Sequence, residues 1–171
     1  MGRIYEAGRG RAAPTQSLYQ VLRCLTGKTN LKHAYFFHYD SYVVTALLLI
    51  ITPEEGRTGD LVMKPNHRSV RSPYFANLVD KILVDNQVSQ KIFRRQTEAG
   101  RSGFVKVRIV SGNLFLFWGY RSRHANEPCD PAKIRATALF HFGDPHADSG
   151  LRKFTGRARV SANAKGQTAP I

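Results

Sequence analysis

The period of the apolar positions changes along the chain, and each change marks an element. Gln16 to Leu25 (QSLYQVLRCL) places apolar residues at helical spacing and predicts a short helix. Ala34 to Thr52 (AYFFHYDSYVVTALLLIIT) is dense in aromatic and β-branched residues and predicts one or two strands. After a polar turn over Pro53 to Thr58, Gly59 to Lys64 (GDLVMK) predicts a short strand, and Pro65 to Ser72 is basic and loop-like. From Pro73 the period is helical again, with Phe75, Leu78, Val79, Ile82 and Leu83 on one face. A second helical piece spans Val88 to Gln96, with Gly100 ending it. Phe104 to Val110 alternates as FVKVRIV, with Lys106 and Arg108 facing outward. Ser111-Gly112-Asn113 is a turn, Leu114 to Trp118 is strand-like, Glu127 to Pro131 is another turn, and Ile134 to Phe142 is a strand. There is no internal repeat. Several strands, an early helix and one helical insertion predict a mainly antiparallel sheet with flanking helices, an α+β pattern.

Length and composition bound this picture. A chain of 171 residues and 19.2 kDa suits one domain. Residues 1–14, rich in Arg and Gly, read as a flexible basic arm, 15–154 as the domain with its insertion at about 73–96, and 155–171 as a polar basic tail. A hydrophobic content of 42% is too high for a disordered chain. The longest apolar run, Tyr42 to Ile51, falls short of the ~18 to 20 residues of a membrane span. The 26 Lys and Arg against 12 Asp and Glu give +14, spread along the chain. Such a field favours nucleic acid, anionic membranes or acidic substrates, and is equally the basic surface of an enzyme with a small substrate. Two cysteines, Cys24 and Cys129, exclude a disulfide framework and a cysteine zinc site. The start lacks an apolar signal core, so a cytoplasmic setting is expected.

Candidate chemistry lies at the strand edges. His38 and Asp40, in FFHYDSY, are two apart and share a face of an extended chain, with Tyr39 on the other. An imidazole and a carboxylate so placed are neighbouring ligands for a divalent metal. His124, in GNLFLFWGYRSRHANEP, follows another apolar strand and could complete a facial triad, which leaves coordination positions open as non-heme Fe(II) oxygenases require. Arg135 follows the EPCDP turn and shares strand parity with Thr137, so a guanidinium and a hydroxyl can hold a carboxylate together.

His-x-Asp, a distant His, then Arg-x-Thr resembles the Fe(II)- and 2-oxoglutarate-dependent dioxygenases. The likeness covers about Ala34 to Phe142, and Arg135-Ala136-Thr137 is similar to the family's Arg-x-Ser pair. The resemblance implies a double-stranded β-helix, or jelly roll. It implies Fe(II) on His38, Asp40 and His124 as the catalytic set, and 2-oxoglutarate held at its far carboxylate by Arg135 and Thr137. It also implies consumption of O2 and oxidation of an unactivated C–H bond. A carboxylate at Asp40 favours hydroxylation, because the halogenating branch has a small residue there. Two departures stand out. Only 37 residues precede His38, so a minimal or N-terminally short barrel is expected, inactive if incomplete. The long His38 to His124 interval is explained by the helical insertion, a lid or a subunit contact.

Competing readings remain. His38 could be a core histidine, Asp40 a turn residue and Arg135 a solvated charge. His141, Asp144, His146 and Asp148 form a rival ligand set, though Gly143 and Pro145 suggest a polar loop. His33 and His67 read as surface residues. Phe115, Phe117 and Trp118 read as sheet core before a base-stacking platform. Arg94, Arg95, Lys64, Arg68 and Arg71 read as a solvated face or phosphate contacts, and Tyr120, Arg121 and Arg123 as possible substrate neighbours. Three function classes follow: an oxygenase acting on a small molecule or an amino-acid side chain, an oxidative nucleic-acid demethylase, and a non-catalytic basic β-domain binding RNA or DNA. IRATALFHF lacks the second arginine and the asparagine of the demethylase branch. Oligomeric state is left open.

Overall fold

The computed structural model describes residues 1–15, 18–27, 29, 31, 34–70, 74–100, 103–147 and 149–150. The proposed tail at 155–171 lies outside the described residues, as do His33, Arg71 and Asp148. In chain order the elements are α1 (Gly2–Arg9), β1 (Tyr19–Leu25), β2 (Val44–Ile51), β3 (Leu61–Lys64), α2 (Tyr74–Asp85), α3 (Gln87–Glu98), β4 (Val105–Val107), β5 (Leu114–Phe117), β6 (Arg123–Asn126) and β7 (Arg135–Phe142). No helix among the described residues is long and apolar enough to cross a membrane.

The strands form two antiparallel sheets, β1-β7-β2-β5 and β4-β3-β6. A single bridge, His38 opposite His124, adds the residue 38 segment to the free edge of β6. With that segment as the second of eight strands, the pairs are first with eighth (β1–β7), second with seventh (His38–His124), third with sixth (β2–β5) and fourth with fifth (β3–β4). This nested antiparallel pairing, wound into two facing sheets, is a double-stranded β-helix.

Strand parity fills the interior. On β7, Arg135, Thr137, Leu139 and His141 share one face; their register partners are Leu25, Arg23, Val21 and Tyr19 on β1. On the other side of β7, Thr137, Leu139 and His141 face Leu49, Leu47 and Thr45 of β2. Leu47, Leu49, Leu61, Met63 and Ile109 make the apolar centre, with Val107, Phe115, Phe117 and Leu139 packed against it. Phe115 and Phe117 are therefore core, packed between the sheets.

Two expectations are corrected. Residues 2–9, read as part of a flexible arm, form α1. Tyr5 is its anchor, buried against Val43, Val44 and Phe142, with its hydroxyl accepting from the Arg11 guanidinium at 2.9 Å. Gly8 lets the helix approach Trp118, because a Cβ at that position would overlap the indole ring. Where a helix was expected over Gln16 to Leu25, Tyr19–Leu25 is instead strand β1, paired along its whole length with β7, and Gln16 and Ser17 lie outside the described residues. A ready template edge outweighs the local period of QVLRCL, in which apolar residues fit either reading.

The insertion forms two helices, as its period predicts, and Phe75, Val79, Ile82 and Leu83 stand exposed on α2. The helix is held by its polar side. Arg68 donates to Asp80 at 2.9 Å and to Asn77 at 3.0 Å, and Lys81 donates to Ser41 at 2.8 Å. α3 starts at Asn86, whose side chain accepts from the Ser89 amide at 2.9 Å. Gln90 then fixes α3 to the barrel, accepting from the Phe37 amide and donating to the Phe37 carbonyl, both at 2.7 Å.

Candidate metal centre

The His38 bridge to β6 sets the geometry. His38 and His124 exchange backbone hydrogen bonds of 3.0 Å in both directions. A directly opposed pair of this kind projects both side chains to one face. The rings lie with centroids 4.4 Å apart. Asp40, two residues on, brings its carboxylate to the same side. Its Oδ1 lies 3.8 Å from Nε2 of His38 and 3.7 Å from Nε2 of His124. One ligand atom from each residue falls within a 4.8 Å span.

The imidazoles are oriented by the backbone. Nδ1 of His38 donates to the Phe36 carbonyl and Nδ1 of His124 to the Ser122 carbonyl, each at 2.9 Å. With the proton held at Nδ1, each Nε2 presents its lone pair toward Asp40. Outer contacts of this kind fix tautomer and ring plane in metal sites. Desolvation, then repulsion from His124, lowers the His38 pKa to about 4, although 37% of its side chain remains exposed at the barrel edge. Burial pushes the Asp40 carboxyl up, but His124, His38, His141 and the Thr45 hydrogen bond outweigh it, and the net shift is down. A neutral imidazole and an ionised carboxylate are the forms a divalent cation needs.

Behind the carboxylate lies a second layer that parity alone did not reveal. Thr45 Oγ1 donates to Asp40 Oδ2 at 2.5 Å and sits 3.1 Å from Nδ1 of His141. Tyr19 and Tyr42 stack on the His141 ring, at 6.0 and 5.4 Å. Gly119 makes room for this group: a Cβ there would collide with Asp40 Oδ2 and Thr45 Oγ1. Its carbonyl accepts from the Asp40 amide at 3.0 Å.

Arg135 and Thr137 face the same interior and are both buried, Arg135 to 3% exposure. Nε of Arg135 has no hydrogen-bond partner, and no carboxylate among the described residues forms an ion pair with the guanidinium. Desolvation lowers its pKa to about 10, with Cys129 and Asp60 acting against the shift and Arg23 adding to it. Gly59, at φ +78°, leaves the space; a Cβ there would press on Arg135 Cδ and Cys129 Cβ at 3.2 Å. A desolvated cation with an open donor is a binding group for an anion. This donor set fits a divalent metal on the two imidazoles and the carboxylate, and a carboxylate ligand at Arg135 and Thr137.

The described members of the rival ligand set, His141, Asp144 and His146, do not converge. His141 backs Asp40 through Thr45, His146 sits 2.9 Å from the Tyr120 hydroxyl, and Asp144 caps the His146 amide at 2.9 Å. Other residues singled out beside the centre turn away from it. Tyr120 is buried against His146. Arg123, opposite in parity to His124, lies over the Phe93 ring at 3.7 Å under α3. Arg68, read as surface, is buried between the Tyr39 and Tyr120 rings at 3.9 and 4.4 Å. His67 is exposed.

The centre is thus a two-histidine, one-carboxylate cluster on the inner wall of a double-stranded β-helix. Among known proteins, no family model and no curated protein matches the chain. It is similar to solved structures at low identity. A Pseudomonas putida prolyl-4-hydroxylase is 14% identical at a TM-score of 0.44, over 75% of this chain and 53% of that one. A prolyl hydroxylase from Trichoplax adhaerens, in complex with a hypoxia inducible factor oxygen degradation domain peptide fragment, is 18% identical at 0.46, over 79% and 49%. A cupin domain from Bordetella pertussis is 8% identical at 0.36, over 75% and 84%. The match spans about half the length of the two hydroxylases.

Proposed function

We propose that this chain is an Fe(II)- and 2-oxoglutarate-dependent oxygenase that hydroxylates a C–H bond of a small molecule or an amino-acid side chain, converting 2-oxoglutarate and O2 to succinate and CO2. One observation carries the reading: three ligand atoms converge within 4.8 Å on the same barrel interior as a buried arginine without a carboxylate partner. Iron, when bound, supplies the redox chemistry, with 2-oxoglutarate as its reductant.

The chain's own residues do the rest. His38 and His124 offer Nε2 lone pairs, held in place by the Phe36 and Ser122 carbonyls. Asp40 supplies the one anionic ligand, with its second oxygen engaged by Thr45. Arg135 and Thr137 would fix the far carboxylate of 2-oxoglutarate and so orient its other end toward the histidines. The apolar centre of Leu47, Leu49, Met63 and Phe117 excludes water from the inner wall.

The test is succinate formation from 2-oxoglutarate with Fe(II) and ascorbate under air, beside Arg135→Ala. Succinate that depends on Arg135 supports the reading. Absence of both succinate and Fe(II) binding overturns it.

A further inference from the structure

Arg23 is a second arginine on the interior face, and the pairing of 2-oxoglutarate with Arg135 gives it no role. β1 runs antiparallel to β7 with Arg23 opposite Thr137 and Leu25 opposite Arg135. Arg23 and Arg135 are therefore diagonal neighbours on one face, roughly 7–8 Å apart. The two differ in setting. Arg135 is buried in the middle of the sheet, whereas Arg23 is exposed on its edge strand. On the β1–β7 ladder Arg23 lies level with Thr137, between the levels of Arg135 and His141. No carboxylate among the described residues is paired with it.

The same stretch carries aromatic surface. Tyr19 shares the Arg23 face of β1 by parity and stacks with Tyr42 at 5.6 Å. Phe36, partly exposed, stacks on His38 at 5.9 Å. A cation and exposed rings on one strand face suit a molecule with an anionic group and a flat or apolar body. Charge bookkeeping agrees, and it rests on the function proposed above. A divalent ion with Asp40 retains one positive charge, 2-oxoglutarate brings two negative, and Arg135 restores neutrality. Arg23 is left in excess.

We propose that Arg23 binds the anionic group, a carboxylate or phosphate, of a small-molecule substrate at the mouth of the barrel, and is distinct from the cosubstrate site. A determinant of this kind selects acidic metabolites over neutral ones.

Paramagnetic ¹⁹F NMR tests this without turnover. The protein is loaded with Mn(II) and saturating 2-oxoglutarate under argon. Trifluoroacetate is the carboxylate probe and monofluorophosphate the phosphate probe. Broadening of either line by the bound Mn(II) is expected in the wild type. It should fall at least 5-fold in Arg23→Gln, recover in part in Arg23→Lys, and stay unchanged in Lys91→Gln, which removes an exposed charge on α3. The probe broadened more strongly identifies the anion. In parallel titrations of 2-oxoglutarate, Arg23→Gln should keep its affinity within about 3-fold while Arg135→Gln loses at least 10-fold. Equal loss in both variants places Arg23 in the cosubstrate site and overturns the proposal. So does broadening indifferent to Arg23, or displacement of the probe by a single-stranded oligonucleotide at lower concentration than by glutarate. If Mn(II) and 2-oxoglutarate fail to bind the wild type, the oxygenase reading has failed first, and this proposal with it.

Discussion

Two buried arginines, Arg68 and Arg135, are treated in opposite ways by this fold. Arg68 is fully engaged. Nε donates to the Tyr120 carbonyl at 2.8 Å, the terminal nitrogens reach Asp80 and Asn77, and two tyrosine rings sandwich the plane. Arg135 is buried more deeply, yet Nε has no partner and desolvation lowers its pKa. The first arginine is a clamp that fastens the insertion to the barrel. The second is a desolvated cation with no carboxylate partner among the described residues. Arg123 shows that an open Nε alone is not diagnostic, since Phe93 and Phe104 close over its guanidinium beneath α3. Location on the interior face, with Thr137 beside it, is what distinguishes Arg135.

The sharpest contrast comes from removing the ligands that Arg135 would serve. Asp40→Ala should abolish detectable Fe(II) binding and succinate formation, because it removes the only anionic ligand of the cluster. Calorimetric titration with Fe(II) under argon checks this, and wild-type affinity in the variant would exclude Asp40 as a ligand.

The two arginines should then part in stability. Arg68→Ala removes the bonds to Asp80 and to the buried Asn77 and should cost roughly 2–3 kcal/mol, the range for leaving a buried polar group without its donor. Arg135→Met removes an unpaired buried cation and should leave stability unchanged or raise it by about 1–2 kcal/mol. The same variant should weaken 2-oxoglutarate binding at least tenfold. Urea denaturation beside a binding titration separates the two. Equal destabilisation by both substitutions would make Arg135 a structural residue like Arg68.

Support around the ligands is a smaller effect. Thr45→Val keeps the shape but loses the hydrogen bond to Asp40 and the link to His141. Metal affinity should fall about 10- to 100-fold, the range found for outer partners of metal ligands. Retention of wild-type affinity would show that Asp40 is positioned by the Gly119 contact alone.

How much of this was legible in the sequence follows from which interactions are local. His38 and Asp40 share a face because residues two apart in an extended chain must, and Arg135 and Thr137 obey the same rule. Thr45 and His141 become neighbours only through the β2–β7 register, 96 residues apart in the chain, and no local pattern encodes that. Arg23 was hidden by the helical reading of its segment, since helix parity places it on no face with Thr137. On α2 the apolar period reports a helix with one apolar face. That this face stands exposed follows from the polar side being fastened to the barrel by Arg68, which the period does not encode.

The smallest effect concerns pH and the metal-free chain. Burial and His124 hold the His38 pKa at about 4 in the folded protein, against ~6.5 when unfolded. Between these values the unfolded chain binds more protons, so stability rises with pH across that window. It is fully present above ~6.5 and is lost progressively as pH falls toward 4. His141, lowered by desolvation, acts in the same direction. Exposure of His38 at the barrel edge screens the effect, so a modest slope is expected. Urea midpoints in chelator from pH 4.5 to 7 should rise with pH in the wild type, and the rise should be shallower in His38→Gln. A variant slope equal to that of the wild type would mean that His38 is as well solvated in the folded chain as in the unfolded one. It would then lack the desolvation that sets it apart from an ordinary surface imidazole.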